Sequence, residues 1–307
     1  MSDNSTDYDF LMDAYIYYQL SDLIVLSIAI FICIFGVVGN GLVTWLLSIH
    51  STSNSFTTYI LHLAVADLGT LVFLMVHLIL LLVNRYHGLL FYDFSSAIQL
   101  RNLFHCTYTA GLCFLTALSA ERCLSLLFPV WYQCHRSRRL SSMLSFLIWT
   151  LSAMFYGMQI SFYMVYHQIL IPLHIMFIVN FYFLPSLLGA LLLVLLAKIC
   201  CNSQPLSPGN LNLVLLLSLL CVLLLRGPWT VASSFDDDRQ FRKLFVFSQL
   251  IFSVNSSAKP VFYYFVGKGM KWSSREPLKI VLQRAFWEET PSRDNLTARN
   301  ASGVVSC

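Results

Sequence analysis

The sequence predicts an all-α membrane protein, a bundle of seven membrane-spanning helices. Three observations lead to this prediction. Only 11% of the 307 residues are charged and 57% are hydrophobic, whereas a soluble domain carries about 25% charged residues. The apolar residues fall into seven blocks, each at least as long as the roughly 20 residues that a spanning helix needs. After the seventh block the pattern becomes that of a short amphipathic helix on the inner membrane surface.

The seven predicted spans follow directly from these blocks. They are residues 23–48, 56–83, 97–127, 143–165, 169–200, 211–232 and 244–266. Blocks four and five almost merge, and Tyr166-His167-Gln168 is the weak break between them. A run from 143 to 200 is too long for one span, so we predict two helices with a short link. Pro172 and Pro185 in block five are tolerated, because membrane helices accommodate proline.

The spans divide the chain into four parts. Residues 1–22 are predicted to form an extracellular N-terminal tail, 23–266 the bundle, 267–287 the juxtamembrane amphipathic helix, and 288–307 a cytoplasmic tail. The juxtamembrane helix is predicted from Ser273 and Glu276, which form a capping box. Apolar residues at helical spacing follow it: Leu278, Val281, Leu282, Ala285 and Phe286.

The distribution of Lys and Arg predicts the orientation, because cytoplasmic loops carry the excess of these residues. With the N-terminus outside, twelve fall on the inner side: Arg122, Arg136, Arg138, Arg139, Lys198, Lys268, Lys271, Arg275, Lys279, Arg284, Arg293 and Arg299. Five fall on the outer side: Arg85, Arg101, Arg239, Arg242 and Lys243. We therefore expect a plasma-membrane protein with its N-terminus extracellular and its C-terminus cytoplasmic.

Two kinds of covalent modification are considered from the same topology. Asn4 begins an Asn-x-Ser/Thr sequence outside the membrane and is a candidate glycosylation site. The matches at Asn295 and Asn300 are in the cytoplasmic tail and the one at Asn255 is inside a span, so we interpret them as chance. Cys200 and Cys201 at the inner end of span five are either palmitoylated or unmodified.

Polar groups and prolines inside the spans occur in a specific order, with one set for each span except span five. Polar residues in a bilayer are costly and mark function. The sets are Gly39-Asn40 in span one, Leu63-Ala64-Val65-Ala66-Asp67 in span two, Glu121-Arg122-Cys123 and then Pro129 after span three, Trp149 in span four, Pro228 in span six, and Asn255-Ser256-Ser257-Ala258-Lys259-Pro260-Val261-Phe262-Tyr263 in span seven.

With these motifs, residues 23–287 resemble the rhodopsin-like G-protein-coupled receptors. The stretches from Ala117 to Arg136 and from Asn255 to Gly267 resemble the Mas-related subfamily. The departures concern activation. Lys259 stands where the family usually has asparagine before Pro260 and Tyr263, and Arg226 replaces the usual tryptophan of span six. A retinal Schiff base at Lys259, as in the visual pigments, is rejected, because the lysine of those pigments lies about two turns earlier.

The resemblance implies a role for three residues at the inner end. Arg122 is expected to pair with Glu121 at rest and to meet the G protein when active. Val130 is expected to insert into the G protein, or alternatively to face the membrane. The link from Cys201 to Asn210 contains no Asp or Glu. Only Glu121 is then expected to hold Arg122, and we predict appreciable signalling without ligand.

In the core of the bundle, the resemblance places Asp67 at the family's sodium site. Its sodium partners correspond here to Gly111, Asn255, Ser256 and Lys259. Gly111 offers no oxygen and Lys259 offers a positive charge, so we predict an Asp67–Lys259 ion pair in place of sodium. Asn40, Pro260 and Tyr263 complete the candidate core set.

The candidate ligand pocket lies between the outer helix ends. Its predicted residues are Arg101, Phe104, His105, Tyr108, Arg226 and Trp229. Arg101 alternatively extends to the outer interface. Because Arg101, His105 and Arg226 meet no acidic residue of spans three to seven, anionic or neutral ligands, small molecules or peptides, are favoured over cations.

The sequence thus predicts a receptor that senses an extracellular ligand and activates a heterotrimeric G protein, with the q or i class suggested by the resemblance. No catalytic triad, metal-ligand spacing, phosphate loop or nucleic-acid motif occurs, so no enzyme, cofactor, metal or nucleic-acid partner is expected. The Asp236-Asp237-Asp238 run is interpreted as a solvated loop. Two alternatives remain: a receptor-like partner protein that does not signal, and a membrane transporter, for which the sequence offers no internal repeat.

Overall fold

The computed structural model describes residues 3–49, 55–87, 94–130, 132, 138–166, 183–201, 215–224 and 238–268. Within these ranges the chain forms helices and no strand. The helices are α1 Asp3–Ile49, α2 Ser55–His87, α3 Phe94–Leu127, α4 Arg138–Tyr166, α5 Leu184–Cys201, α6 Leu215–Leu224 and α7 Asp238–Lys268. The predicted all-α class and its seven-helix bundle are confirmed.

Hydropathy located most of the spans closely. Four helices contain stretches long and apolar enough to cross a membrane: Leu20–Ile49, Phe56–Val83, Gln99–Leu127 and Arg139–Met158. These correspond to the predicted spans 23–48, 56–83, 97–127 and 143–165. The shorter apolar stretches Leu184–Ala197 and Leu215–Leu224 lie inside predicted spans five and six, and α7 contains predicted span seven.

The first helix is longer than the first span. Helix α1 begins at Asp3 rather than near residue 23. The reason is local: residues 3–22 contain neither proline nor glycine, the two residues that interrupt helices most strongly. Asp22, placed by the sequence in the N-terminal tail, is only 9% exposed within α1. Residue 22 is therefore a boundary of hydropathy and not of secondary structure.

The described helices pack mainly against α2 and α3. Helix α3 contacts α2, α4 and α5, while α1 packs between α2 and α7, and α2 also contacts α4 and α7. A hydrogen bond supports the α2–α4 contact, in which Trp149 Nε1 donates to His62 Nδ1 over 3.4 Å. The His62 ring also stacks on Phe114 of α3, with centroids 5.4 Å apart. The span-four tryptophan thus joins three helices.

The distribution of side chains is that of a membrane bundle. Large apolar residues on the outer surface are exposed, including Phe35 on α1 and Phe146 on α4, which is 74% exposed. Polar residues such as Asn40, Asp67 and Lys259 are buried inside. This arrangement suits a solvent of lipid tails, in which an exposed apolar side chain costs nothing and a polar one does. The protein is a multi-pass membrane protein.

Several predictions lie outside the described residues. The juxtamembrane helix falls there beyond Lys268, as do the C-terminal tail 288–307, the link from 202 to 210, and Asp236 and Asp237 of the outer loop. The third aspartate of that run, Asp238, is the first residue of α7 and not a loop residue. The extracellular placement of residues 1–22 and the palmitoylation of Cys200 or Cys201 stay predictions.

Candidate functional site

An ion pair occupies the core of the bundle between α2 and α7. Lys259 Nζ lies 2.7 Å from both Asp67 Oδ1 and Asp67 Oδ2. Both residues are only 3% exposed. The contact predicted from the sequence is therefore present, with the ammonium donating to both carboxylate oxygens. Such geometry offsets much of the cost of removing two charges from water.

Gly111 of α3 faces this pair. A Cβ atom placed on Gly111 would lie 3.7 Å from Asp67 Oδ1 and 3.6 Å from Ala66 Cβ, which are ordinary contact distances. The third helix therefore approaches the carboxylate without supplying an oxygen atom. The ammonium group of Lys259 is the positive charge that faces Asp67 at this point.

Asn40 ties α1 to α7 beside the ion pair. Its Nδ2 donates to Gly36 O over 2.9 Å and to Ser256 O over 3.1 Å. Ser257 Oγ donates to Ile32 O over 3.2 Å. The bonds to Ser256 O and Ile32 O cross between the helices and require α1 and α7 to approach closely. Gly36 permits that approach, since a Cβ there would lie 2.0 Å from Ser257 Oγ.

Pro260 and Tyr263 continue this buried face of α7. A Cβ on Gly39 of α1 would lie 3.0 Å from Pro260 Cβ. Tyr263 is only 2% exposed. Together with Asn40, Asp67, Asn255 and Lys259, these residues form a single buried region among α1, α2 and α7. The sequence had assigned all of them to this core.

The inner end of the bundle, meaning the end that contains Arg122, holds a buried acid and base. Glu121 is 7% exposed and Arg122 is 4% exposed. The guanidinium carbon of Arg122 lies 3.8 Å from the centroid of the Phe56 ring of α2. The prediction that only Glu121 holds Arg122 is therefore wrong. The Phe56 ring attracts the guanidinium because an aromatic face attracts a cation. The apolar sequence of the span gave no reason to predict that Phe56 faces Arg122.

Cys123, which follows Arg122, contacts α5. Its Sγ donates to Leu191 O over 3.6 Å, and the residue is 5% exposed. A small thiol allows α3 and α5 to pack closely at this level. Helix α3 is thus fixed against α2 through Arg122 and against α5 through Cys123.

Val130 lies in a further helical turn beyond α3. Phe128 N donates to Leu124 O and Tyr132 N donates to Phe128 O, each over 2.9 Å. Val130 is 61% exposed on this turn. Tyr132 packs against Phe56, with ring centroids 6.5 Å apart and an interplanar angle of 26°. Phe56 therefore contacts both Arg122 and the turn that carries Val130.

The outer end of the bundle, meaning the end that contains Arg101, holds an aromatic cluster. Phe104, His105 and Tyr108 of α3 were predicted pocket residues, and they converge on Phe252 of α7. Their ring centroids lie 5.1, 6.2 and 4.7 Å from that of Phe252. Phe104, Tyr108 and Phe252 are buried, and His105 is half-buried. The cluster closes the bundle interior between α3 and α7.

The aromatic cluster is linked to the polar core by one hydrogen bond. Asn255 Nδ2 donates to the Tyr108 hydroxyl over 3.4 Å. Asn255 lies four residues before Lys259 on α7, which is about one helical turn. A side chain that lines the outer cluster therefore contacts a residue adjacent to the Asp67–Lys259 pair.

Arg101 lies half-buried above this cluster. His77 of α2, a further titratable side chain inside a span, is only 7% exposed. The pocket position and the extension to the outer interface both stay predictions for Arg101. Arg226 and Trp229, the other predicted pocket residues, lie outside the described residues.

Sequence reasoning missed several residues of these sites. Phe56 and Phe252 resemble any other aromatic residue of a span, so no local signal separates them from lipid-facing residues. His77 carried a usable signal, because a titratable side chain inside a span is costly. Gly36 carried a weaker one, since small residues mark close helix approach in membranes.

Metal and disulfide chemistry were also considered for the described part of the chain. No group of three or more His, Cys, Asp or Glu residues there could hold a metal ion. Five cysteines in that part are free thiols: Cys33, Cys106, Cys113, Cys123 and Cys221.

Comparison with known proteins places this arrangement in a family. Residues 39–263 match the pattern of the 7 transmembrane receptor (rhodopsin family). Mas-related G-protein coupled receptor member X2 of Rhinopithecus bieti is 35% identical over 302 residues, covering 92% of this chain and 88% of the relative. The human protein of that name is 34% identical over 288 residues, covering 86% and 83%. This chain therefore belongs to the rhodopsin family of G-protein-coupled receptors, in its Mas-related group, and is a receptor rather than an enzyme.

Proposed function

We propose that this receptor senses an anionic or neutral extracellular ligand, small molecule or peptide, at its outer end and activates a heterotrimeric G protein of the q or i class at its inner end. It does so in the plasma membrane, with its N-terminus extracellular and its C-terminus cytoplasmic. The observation that carries the coupling proposal is the burial of Glu121 and Arg122 at the inner end of α3.

A buried acid and base at this place form a two-state element. Arg122 is withdrawn from solvent, and a movement of α2 or α5 away from α3 would free its guanidinium for a new partner. Val130 is exposed on the turn that follows, as an apolar contact for a docking protein would require. Arg122 would thus contact the G protein only after this movement, whereas Val130 is accessible before and after it.

The coupling proposal is tested by second messengers in transfected cells. Inositol phosphate reports the q class and cyclic AMP the i class. We expect signalling above mock-transfected cells without ligand, and a return to the mock level in Arg122→Ala. Arg139→Ala is the matched control, because Arg139 is exposed at the same end of the bundle.

Two results would count against coupling. One is a wild-type signal equal to mock at verified surface expression, which would favour the alternative of a receptor-like partner that does not signal. The other is an Arg122→Ala variant that signals like wild type.

The ligand-charge proposal depends on the outer end. Arg101 carries a permanent positive charge on α3, about one helical turn before Phe104 and His105 of the aromatic cluster. Asp22 of α1 is also buried and Asp238 begins α7, whereas α3 before Glu121 and α7 after Asp238 contain no acidic residue. A cationic ligand between α3 and α7 would face a like charge, whereas an anionic group would face an opposite one.

A ligand screen tests this proposal. Acidic, neutral and basic peptides and small molecules are compared on wild type, Arg101→Gln and Arg226→Gln. We expect acidic or neutral ligands whose potency falls in Arg101→Gln. A screen that yields only strongly basic peptides, with potency unchanged in both variants, would refute the proposed ligand class.

A further inference from the structure

The contact between Arg122 and Phe56 assigns a role to a residue that family motifs do not include. We propose that Phe56 is a positioning residue for G-protein activation, which holds Arg122 and the Val130 turn together in the resting conformation. This inference rests on the proposed G-protein coupling of Arg122. The juxtaposition that carries it is one buried ring in contact with both parts of the proposed coupling surface.

The first step concerns Arg122. Its guanidinium carbon lies 3.8 Å from the Phe56 ring centroid, well inside the roughly 6 Å over which a ring attracts a cation. Arg122 is 4% exposed and Phe56 is 6% exposed, so water competes little with the contact. A partner in the aqueous phase cannot reach Arg122 in this conformation. Release of the arginine requires that it leave the ring.

The second step concerns the turn beyond α3. Tyr132 packs on the same Phe56 ring at 6.5 Å, and Tyr132 N is hydrogen-bonded to Phe128 O. Val130 lies between Phe128 and Tyr132 on this turn and is exposed. Phe56 is on α2, and both of its contacts are on α3 or its extension. Separation of α2 from α3 at this level would therefore release Arg122 and reposition Val130 in one movement.

The third step concerns the kind of restraint. A carboxylate on a neighbouring helix would hold the arginine by charge, whereas an aromatic face holds it with a shorter-ranged and weaker attraction. A restraint of this strength permits the active conformation to be populated without ligand. Loss of the ring should increase that population rather than abolish folding, provided that an apolar side chain fills the site.

The test uses the full receptor in lipid nanodiscs with purified q-class or i-class heterotrimer, and it measures the initial rate of ligand-free GTPγS binding. Phe56→Leu should raise this rate about three- to tenfold, the range expected when a contact of this class is lost. Phe56→Tyr keeps the ring and should behave like wild type. Phe114→Leu is the matched control, because it also removes a buried ring of the bundle and should leave the rate at the wild-type value.

A second measurement does not depend on signalling. Melting temperatures are compared for wild type, Phe56→Leu, Arg122→Gln and the double variant. If the ring and the guanidinium interact, the double variant should lose less than the sum of the single losses. Additive losses, or a Phe56→Tyr variant as active as Phe56→Leu, overturn the role of Phe56. A different outcome is that the melting losses are coupled but no variant stimulates GTPγS binding, while a control receptor activates the same heterotrimer. That outcome overturns the proposed function and leaves the contact between Arg122 and Phe56 in place.

Discussion

The Asp67–Lys259 pair is the feature of single residues that most distinguishes this receptor. Each charge alone would be driven towards neutrality by the loss of water. Paired at 2.7 Å, the charges offset much of that cost, though a well-packed apolar pair would offset it as well. The ammonium also supplies the carboxylate with a cation, so we expect the pair to take the place of a mobile sodium ion beside Asp67.

We therefore predict strong coupling between the two residues. Asp67→Asn and Lys259→Met should each destabilise the receptor by roughly 3–5 kcal/mol, because each leaves one buried charge without its partner. The double variant should recover part of this loss. Thermal stability in detergent and surface expression measure both effects. Additive losses would contradict the prediction, as would stabilisation of wild type by sodium that Asp67→Asn abolishes.

The same geometry predicts how a sodium response can be created. Gly111→Ser places a hydroxyl near Asp67, since a Cβ there meets only ordinary contacts, and Lys259→Asn replaces the ammonium by an amide oxygen. The double variant should gain a thermal stabilisation in sodium over potassium that wild type lacks. Gly111→Ser alone is the control and should not respond, because the ammonium remains. An unresponsive double variant that is folded and expressed would show that the site needs more than these two positions.

Predictability differed sharply between neighbouring residues. Asp67 and Lys259 were expected in contact because charged residues inside spans are few and their motifs assign them to facing helices. The Arg122–Phe56 contact was not expected, because a phenylalanine at the end of a span has the same sequence signature whether it faces lipid or a buried arginine. Only the packing of α2 against α3 separates the two cases.

At the scale of helices, α1 and α7 approach each other closely at Gly36. Asn40 donates across this interface to Ser256 O and within its own helix to Gly36 O. Ser257 donates across the interface to Ile32 O. A Cβ atom added to Gly36 would lie 2.0 Å from Ser257 Oγ and 2.6 Å from Leu71 Cδ1. Small residues let membrane helices pack closely where no hydrophobic driving force exists between them. The polar core therefore depends on Gly36, which has no polar side chain but allows the two helices to pack closely.

Two glycines of α1 provide a matched pair of variants. Gly36→Ala should destabilise the receptor by roughly 1–3 kcal/mol, the cost of overpacking, and should weaken the Asn40 bond to α7. Gly41→Ala adds the same methyl group where no atom lies within 4 Å, so it should be neutral or slightly stabilising. Melting temperatures in detergent check both. Equal melting temperatures for the two variants would contradict the close approach.

Helix positions were more predictable than helix ends. Block length and hydropathy located the span Phe56–Val83 at its predicted bounds and the first, third and fourth to within several residues, because the thickness of the bilayer sets the length of an apolar block. Helix α1 extends to Asp3, since the polar residues before the span form helix without needing a membrane. The hydropathy of a segment predicts which part of a helix lies in the membrane. Helix propensity predicts the residue at which the helix ends.

At the scale of the whole molecule, charge asymmetry determines how the bundle lies in the membrane. Twelve Lys and Arg residues fall at the end that contains Arg122 and the C-terminus, against five at the other end. Positive residues near span ends are retained on the cytoplasmic side. The asymmetry therefore predicts that Glu121, Arg122 and Val130 lie inside the cell, where a G protein is available, and that Arg101 and the aromatic cluster lie outside, where a ligand is available.

Glycosylation provides a direct test of this orientation. Asn4, in the sequence Asn4-Ser5-Thr6, lies in the first turn of α1, sixteen residues before the span begins at Leu20. At about 1.5 Å per residue, a continuous helix would carry it on the order of 24 Å beyond the membrane, within reach of the lumenal transferase. We expect a wild-type gel mobility shift on N-glycosidase treatment that Asn4→Gln removes. Asn295→Gln and Asn300→Gln are matched controls in the C-terminal tail and should keep the shift. A shift that persists in Asn4→Gln and disappears in a tail variant would reverse the orientation, and it would place Arg122 on the side of the membrane where no G protein exists.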